Sequence, residues 1–216
     1  YSGMYTNIYL SWNFSPDTLV GEKEYVENNF EYIKDNLIQR YPEIKAQFEL
    51  PEDEILKQWI LISNDFGQHY FLPKDWKLGI LPEIEADMLA NRKTYTKLRD
   101  AYDTEDPMYH MYDDLQGMAK TIINSIYGVT SYSKFVLFNP IISASITSCG
   151  RQLIEWVKLK AEEKNLKIIY GDTDSCFIGF DSKLSFEDVV AQTKQLEQDI
   201  KTSFEEFMQK FTNNII

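Results

Sequence analysis

The stretch Lys167-Ile168-Ile169-Tyr170-Gly171-Asp172-Thr173-Asp174-Ser175-Cys176-Phe177-Ile178-Gly179-Phe180 carries the strongest structural signal in the sequence. Two runs of β-branched and aromatic residues, 167–170 and 176–180, flank a short polar segment. This pattern is typical of two antiparallel strands joined by a tight turn. The sequence therefore predicts a β-hairpin whose tip carries Asp172 and Asp174.

Two carboxylates on a rigid hairpin tip suit a divalent cation. Mg²⁺ prefers oxygen ligands and commonly takes one or two protein carboxylates together with water and substrate phosphates. An ordinary turn is the alternative interpretation, because aspartate is common in turns that bind no metal. The hairpin by itself leaves both interpretations open.

A second hairpin, made of helices, is predicted upstream. Pro82 lies at a first-turn position, and apolar residues then recur at helical spacing until about Asp103. The polar stretch 103–107 is typical of a turn, and helical spacing resumes from Met108 to about Ile126. Two helices joined by so short a turn are expected to pack as an antiparallel hairpin.

The second of these helices displays a cation, an amide and an aromatic ring on one face. Lys120, Asn124 and Tyr127 are spaced by four and three residues, and Gly128 follows them. A lysine can neutralise phosphate charge, a tyrosine can stack on a base, and a glycine lets a ligand approach the backbone. A half-solvated helix with Tyr127 in the core is the alternative.

The first helix of the pair adds positive charge. Arg92 and Arg99 are seven residues apart and so share one side, with Lys93 and Lys97 nearby. Together with Lys120, these cations predict an electropositive arm suited to a triphosphate. A solvated charged face is the usual alternative for Lys and Arg on a helix.

The remaining segments are less regular. The other predicted elements are a strand or turn over 5–10, a helix start at 15–18, and helices over 22–38, 140–164 and 185–211. Residues 39–78 show no clear pattern. The predicted fold class is α+β, with a small antiparallel sheet packed on helices.

Composition limits the class of protein. Acidic residues number 34 against 22 basic ones, a net charge of −12, which argues against a self-sufficient nucleic-acid binder. The sequence shows neither a membrane-spanning apolar run nor a signal peptide, so we expect a cytoplasmic protein without a membrane partner. Cys149 and Cys176 are expected to be buried, reduced thiols.

In combination, these motifs resemble family B DNA polymerases, particularly those of T-even-type bacteriophages. Residues 170–175, Tyr-Gly-Asp-Thr-Asp-Ser, resemble the family's motif C, and residues 120–128, Lys-Thr-Ile-Ile-Asn-Ser-Ile-Tyr-Gly, resemble its motif B. The segments 144–151 and 79–82 resemble the helix between those motifs and the start of the fingers. The resemblance covers nearly the whole chain, and a viral source would imply the host cell cytoplasm.

The opening of the chain is similar to the family's motif A. Residues 3–8, followed by 15–18, carry this similarity. By the resemblance, Tyr5 is the aromatic gate that lies under the sugar and excludes a 2′-hydroxyl. The metal-binding aspartate of motif A would lie immediately before Tyr1.

The resemblance implies a two-metal nucleotidyl transfer. Asp174 would bind both Mg²⁺ ions, with Mn²⁺ as an alternative ion, and Asp172 would lie beside the primer end. Lys120 would have a catalytic role by neutralising charge on the phosphates. The implied substrates are dNTPs and primer–template DNA.

The resemblance also implies how the nucleotide is held. Lys120 and Arg92 would contact the triphosphate, and Asn124 would support that contact. Tyr127 and Gly128 would line the nascent base pair.

The implied domains are a palm over 1–81 and 131–216 and a fingers hairpin over 82–130. The family's N-terminal and exonuclease domains would precede Tyr1 and its thumb would follow Ile216, in the same polypeptide or as separate chains. Much of the positive charge that binds the DNA duplex would then lie on those segments. The isolated chain is expected to be inactive, or nearly so, in DNA synthesis.

Three alternatives accompany this interpretation. The chain could be a non-catalytic part of a split polymerase that needs partner chains, or a remnant binding scaffold. The presence of Asp172, Asp174, Lys120 and Asn124 argues against a scaffold, which needs none of them. A reverse transcriptase or RNA polymerase could also carry carboxylates on a palm hairpin, but Tyr5 and the order of the motifs favour synthesis of DNA.

Overall fold

The described part of the chain is mainly helical, with short strands between some of the helices. The computed structural model describes residues 3–172, 175–181, 183–203 and 206–207, with the backbone alone at Asp172. The helices are α1 (Met4–Trp12), α2 (Lys23–Asn28), α3 (Phe30–Arg40), α4 (Glu52–Gln58), α5 (Ile80–Arg99), α6 (Pro107–Thr130), α7 (Pro140–Glu162) and α8 (Phe186–Thr202), with a 3-10 helix over Pro42–Glu49. The strands are β1 (Leu19–Glu22), β2 (Ile60–Asn64), β3 (Gly67–Phe71), β4 (Lys167–Asp172) and β5 (Ser175–Gly179). None of the described helices is long and apolar enough to cross a membrane.

The strands form two small antiparallel sheets. The first has the order β1-β3-β2, and the second is the hairpin of β4 and β5. In that hairpin, Asp172 at the end of β4 pairs with Ser175 at the start of β5. The β-hairpin predicted from the sequence and the α+β class are thereby confirmed.

The main core forms around α1. Ile8, Tyr9 and Trp12 of this helix are almost completely buried. They belong to a cluster that also includes residues of α7 and of the first sheet, namely Ile142, Ile146, Cys149, Leu153, Ile62 and Phe71. Helices α5 and α6 also contact α1, so the N-terminal segment is held from several sides.

A second core lies between α2, α3, the 3-10 helix and the first sheet. Trp59 is fully buried at its centre. Four aromatic rings surround it at centroid distances from 5.8 to 6.3 Å, those of Phe30, Phe48, Tyr70 and Trp76. Most of the buried residues of this core come from the segment 39–78, for which the sequence showed no clear pattern.

The helix α1 corrects the strand or turn predicted for residues 5–10. That run is rich in β-branched and aromatic residues, yet Met4, Ile8 and Trp12 recur every four residues and are all buried. Burial of this stripe outweighs the β preference of single residues, because β propensity depends strongly on packing context.

Residues 15–18 form a turn before β1 and do not begin a helix of their own. The Asp17 carboxylate accepts a hydrogen bond of 3.1 Å from the Ile80 N–H, and Ser15 Oγ accepts one of 3.3 Å from the Leu81 N–H. These side chains therefore satisfy free N–H groups in the first turn of α5. The sequence showed that Ser15 and Asp17 can cap a helix, but the helix that they cap, α5, begins more than 60 residues later.

Several helix boundaries also differ from the predictions. Helix α5 begins two residues before Pro82 and ends at Arg99 rather than near Asp103, and α6 extends to Thr130. The single helix predicted over 22–38 is two helices separated by Asn29. Helices α7 and α8 end at Glu162 and Thr202, and the predicted end of α8 near residue 211 lies outside the described residues.

The two cysteines have different environments. Cys149 is fully buried, and burial raises the pKa of its thiol well above the ordinary value. Cys176 is partly exposed, so the expectation of a buried thiol is wrong for this residue. Both are free thiols, as predicted.

Candidate active site

The two segments that resemble motifs A and B lie against each other. The rings of Tyr5 in α1 and Tyr127 in α6 have centroids 4.4 Å apart, with their planes inclined by 34°. One turn further along α1, the hydroxyls of Tyr9 and Thr130 share a buried hydrogen bond of 3.0 Å. These contacts fix the end of α6 against α1.

A small cavity opens beside this aromatic pair. Its volume is about 190 Å³, and Tyr5, Asn124 and Tyr127 line it. The other lining residues are Gly3, Met4, Thr6 and Ile123. Lys120 lies one turn before Asn124, and Gly128 follows Tyr127; both are exposed. The tertiary structure therefore brings two of the predicted nucleotide-binding residues of α6, Asn124 and Tyr127, together with Tyr5.

A larger cavity connects Tyr5 with the β4-β5 hairpin. Its volume is about 470 Å³, and both Tyr5 and Gly171 of β4 line it. Asp172 follows Gly171 directly. The side chain of Asp172 and the whole of Asp174 lie outside the described residues, so their metal-binding role stays a prediction.

The wall of the larger cavity contains side chains that sequence reasoning did not single out. Thr147, Arg151 and Glu155 of α7 all line it. They are spaced by four residues, which places them on one face of the helix, and this spacing was the available signal. Gly150 allows α1 to pack closely here, since a Cβ at this position would lie 3.1 Å from the Met4 methyl group.

Only some of the cations in the predicted electropositive arm are free to contact a phosphate. Arg92 is half-buried on α5 and Lys120 is exposed on α6, and neither forms an ion pair with another described residue. Arg92 does not line either of the two cavities described above. Its predicted contact with a triphosphate therefore stays a prediction.

Arg99 is already neutralised by neighbouring acids, which corrects its inclusion in the arm. Its guanidinium donates hydrogen bonds of 2.7 Å to Asp100 and 2.9 Å to Asp113. These carboxylates raise the pKa of Arg99, and the guanidinium in turn lowers the pKa of Asp113. Arg99 thus joins α5 to the start of α6 at the end of the hairpin remote from Tyr5.

A buried carboxyl group lies where the helical hairpin meets α1. Glu85 of α5 is 1% exposed, and its Oε2 has no hydrogen-bond partner among the described residues. Burial raises the pKa of Glu85 to about 7, and the hydroxyl of Thr6, which favours the charged form, offsets this only in part. Glu85 was not singled out in the sequence, because a lone acid on a helix gives no sign that it will be buried.

Metal-binding side chains are not clustered elsewhere in the described part of the chain. Within residues 3–172, 175–181, 183–203 and 206–207, no group of three or more His, Cys, Asp or Glu side chains could hold a metal ion.

Comparison with known proteins shows what the chain is similar to. The family model described as DNA polymerase family B matches residues 1–213. DNA polymerase 1 of Aeropyrum pernix is 27% identical over 192 residues, which cover 88% of this chain and 16% of that protein. The DNA polymerase delta catalytic subunit of Oryza sativa is 35% identical over 149 residues, which cover 64% of this chain and 13% of that protein.

A solved structure shares the fold. The structure of the family B DNA polymerase from the hyperthermophilic archaeon Pyrobaculum calidifontis aligns with a TM-score of 0.56 at 22% identity, covering 84% of this chain and 20% of that one. The chain thus spans a fifth or less of the length of these three relatives. They come from archaea and a plant, and the narrower likeness to T-even-type bacteriophage enzymes stays a prediction. Because the family match extends over nearly all of its residues, the chain belongs to DNA polymerase family B.

Proposed function

We propose that the chain forms the palm and fingers of a DNA-directed DNA polymerase, which extends a primer on a DNA template with dNTPs. The palm would comprise 1–81 and 131–216, and the fingers 82–130. The observation that carries this proposal is the position of Tyr5, which stacks on Tyr127 and shares a cavity with Gly171 of the hairpin strand. Tyr5 thus borders two cavities, one lined by Asn124 and Tyr127 of the segment that resembles motif B and one lined by Gly171 of the segment that resembles motif C.

The hairpin tip would hold the metal ions. Asp172 and Asp174 carry carboxylate oxygens, the donor type that Mg²⁺ and Mn²⁺ prefer, and Asp172 directly follows Gly171, which lines the larger cavity. When bound, two such ions acidify the primer 3′-hydroxyl and stabilise the pyrophosphate leaving group. The chain's own contribution would be a two-stranded support for these carboxylates, the β4-β5 hairpin.

Lys120 and Arg92 would contact the triphosphate from the helical hairpin. Lys120 is exposed one turn before Asn124, which lines the smaller cavity, so its ammonium can reach a phosphate bound there. Since phosphoryl transfer depends mainly on positioning and charge neutralisation, these cations would orient the triphosphate and offset its negative charge. Asn124 would support the same group through its amide.

Tyr5 would select the sugar. Its ring is held on one side by Tyr127, which limits its freedom to move away from a bulkier ribose. A 2′-hydroxyl would then collide with the ring, so deoxynucleotides are preferred. The same pair of rings would put Tyr127 beside the nascent base pair, where Gly128 would allow close approach.

Primer extension with labelled dNTPs tests the proposal. We expect little or no extension by the 216 residues alone, and extension once a chain that supplies a thumb and a further metal-binding aspartate is added. Asp174→Asn should abolish the restored activity, while an exposed acid far from the site, for example Glu49→Gln, should leave it unchanged. Undiminished extension by the Asp174→Asn protein would contradict the proposal.

A further inference from the structure

The chain that leads into α5 is held by a buried asparagine. Asn13 directly follows α1, is fully buried, and has its backbone in the left-handed region at a φ of 54°. Its side chain donates hydrogen bonds of 2.9 Å to the Leu72 carbonyl and 2.7 Å to the Lys77 carbonyl. The oxygen of the same amide accepts a bond of 2.8 Å from the Gly79 N–H. Both N–H groups and the oxygen of Asn13 are thus used to fix the residues before α5.

Two more side chains satisfy the next N–H groups of α5. The Asp17 carboxylate accepts a hydrogen bond of 3.1 Å from the Ile80 N–H, and Ser15 Oγ accepts one of 3.3 Å from the Leu81 N–H. The residue after Leu81 is a proline, which has no N–H. The N–H groups that the first turn of a helix leaves without an intrahelical acceptor are therefore all accounted for at the start of α5.

Close packing reinforces these hydrogen bonds. Gly79 leaves no room for a side chain, because a Cβ there would lie 2.6 Å from the Ser15 Cβ and 3.0 Å from the Thr18 Cγ2. Thr18 is itself fully buried, and its hydroxyl donates a hydrogen bond of 2.5 Å to the Asn13 carbonyl. We call Asn13, Ser15 and Asp17, together with Gly79, the α5 clamp.

The clamp lies where the helical hairpin joins the rest of the chain. Beyond this base, no residue from 86 to 118 is fully buried, although all of them are described. The other end of the hairpin, in α6, is attached where the ring of Tyr127 contacts that of Tyr5 in α1. Because Asn13 directly follows α1, both attachments refer to the same helix. The direction of the hairpin relative to Tyr5 therefore depends on the first turn of α5.

We propose that the α5 clamp sets the orientation of the helical hairpin, with Asn13 and Asp17 as positioning residues for nucleotide binding. The inference rests on the proposed function, in which the hairpin brings Arg92 and Lys120 to the triphosphate. Neither Asn13 nor Asp17 lines the two cavities beside Tyr5, so both act through α5 and not by touching the substrate. A hairpin whose first turn is loose has the correct orientation for only part of the time, which weakens the apparent affinity for a nucleotide in proportion.

Steady-state primer extension by the restored polymerase tests the role of Asp17, whose side chain is 20% exposed. Asp17→Ala should raise the KM for dNTPs about fivefold, the effect of losing one helix cap. The kcat should stay nearly unchanged, because the bound nucleotide restores the same closed arrangement. Asp17→Asn should recover most of the loss, since its amide oxygen can still accept the Ile80 N–H.

Asp106→Ala is the matched control for this assay. Asp106 caps α6 in the same way, accepting a hydrogen bond of 2.8 Å from the Met108 N–H, but at the remote end of the hairpin. Its removal should leave the KM for dNTPs unchanged. A loss of general helix stability would affect both variants, whereas a positioning role affects only Asp17→Ala.

Hydrogen exchange of the 216-residue chain provides a readout that needs no activity. The amides of Gly79, Ile80 and Leu81 should exchange slowly, since their acceptors are side chains of the clamp. Asp17→Ala should speed up exchange at Ile80 about fivefold, and Asp106→Ala should not. Gly79→Ala keeps every hydrogen-bonding group but forces Ser15 away, so it should speed up exchange at Ile80 and Leu81. It takes the same kinetic test if Asp17→Ala does not fold.

An unchanged KM in Asp17→Ala, an equal rise in Asp106→Ala, or unchanged exchange at Ile80 would each overturn the inference. The two proposals fail separately. Normal extension with a KM that neither Asp17→Ala nor Gly79→Ala alters removes only the positioning role. Absence of extension by the unmodified restored polymerase removes the proposed function, and hydrogen exchange then decides alone whether the clamp fixes α5.

Discussion

The aromatic core around Trp59 and the outer part of the α5-α6 hairpin differ sharply in how they are held. Trp59 is fully buried and touches four other aromatic rings. By contrast, no residue from 86 to 118 is fully buried, although all of them are described. The hairpin is buried only at its base, where Leu81, Glu85, Ile123 and Ile126 meet α1 and the main core.

This difference indicates which region can move. A region with a dense buried core opens only with the rest of the molecule, whereas one held by surface contacts can shift at little cost. The outer hairpin is held by the Arg99 ion pairs and by the stacked rings of Tyr102 and Tyr112, 6.0 Å apart. Such freedom of movement suits a hairpin that delivers a nucleotide. The Trp59 core is the rigid part of the molecule in this comparison.

The largest expected effect is that of Trp59→Ala. Removing the central ring leaves a cavity among four aromatic side chains, so we expect a loss of about 3–5 kcal/mol in the free energy of unfolding. Urea denaturation monitored by near-ultraviolet circular dichroism measures it. The matched substitution in the hairpin, Tyr102→Ala, should cost well under half as much, because Tyr102 is 37% exposed. Equal losses would remove the distinction between the two regions.

The base of the hairpin should show a pH dependence of stability between about pH 4.5 and pH 7. The pKa of Glu85 is about 7 in the folded chain, above its ordinary value of 4.5, so the folded state holds this proton more tightly than the unfolded state does. Stability contributed by the protonated group is fully present below about pH 4.5 and is lost as the pH rises to about 7. At ~1.4 kcal/mol per pH unit, the free energy of unfolding should fall by about 3 kcal/mol over this range.

Comparison with Glu85→Gln isolates this contribution. The amide is uncharged at every pH, so the difference in unfolding free energy between the two proteins should change between pH 4.5 and 7 and be constant above. Denaturation series at several pH values provide the measurement. A difference that does not vary with pH would show that Glu85 is ionised without penalty in the folded chain.

Lys120→Ala should separate function from stability within the hairpin. Loss of one charged contact to a phosphate corresponds to about 2 kcal/mol, or roughly a 30-fold lower rate of dNTP incorporation per unit concentration. The unfolding midpoint should hardly change, because Lys120 is exposed. Lys45→Ala, also exposed but on the 3-10 helix, is the control, and steady-state primer extension by the restored polymerase is the assay. A similar loss of rate in both variants would contradict a specific role for Lys120.

The smallest effect is expected for Arg99→Ala at the remote end of the hairpin. Its ion pairs with the exposed carboxylates of Asp100 and Asp113 are accessible to solvent, so their loss should lower stability only slightly, and less at high salt. Hydrogen exchange of amides near Asp100 and Asp113 should speed up, while exchange around Trp59 stays unchanged. Accelerated exchange in both regions would show that they open together.

Much of the fold followed from local sequence patterns. The β4-β5 hairpin and the two helices of α5 and α6 were predicted in type and nearly in extent, because alternating or helical spacing of apolar residues is strong there. The N-terminal segment was mispredicted, since Ile8 and Tyr9 favour strands until α5, α6 and α7 pack around them. The Trp59 core could not be predicted, because Phe30, Phe48, Tyr70 and Trp76 come from separate elements and meet only in the folded chain.

The candidate site shows the same division. The sequence alone determined the identity and spacing of Asp172, Asp174, Lys120 and Asn124, since motifs are local and their chemistry belongs to the residue types. Tertiary structure alone decided that Tyr5 stacks on Tyr127 and that Arg99 is neutralised by Asp100 and Asp113. It also decided that Glu85 is buried at the base of the hairpin. The physical reason is that burial, ion pairing and cavity walls depend on distances between residues far apart in the chain, which no local pattern encodes.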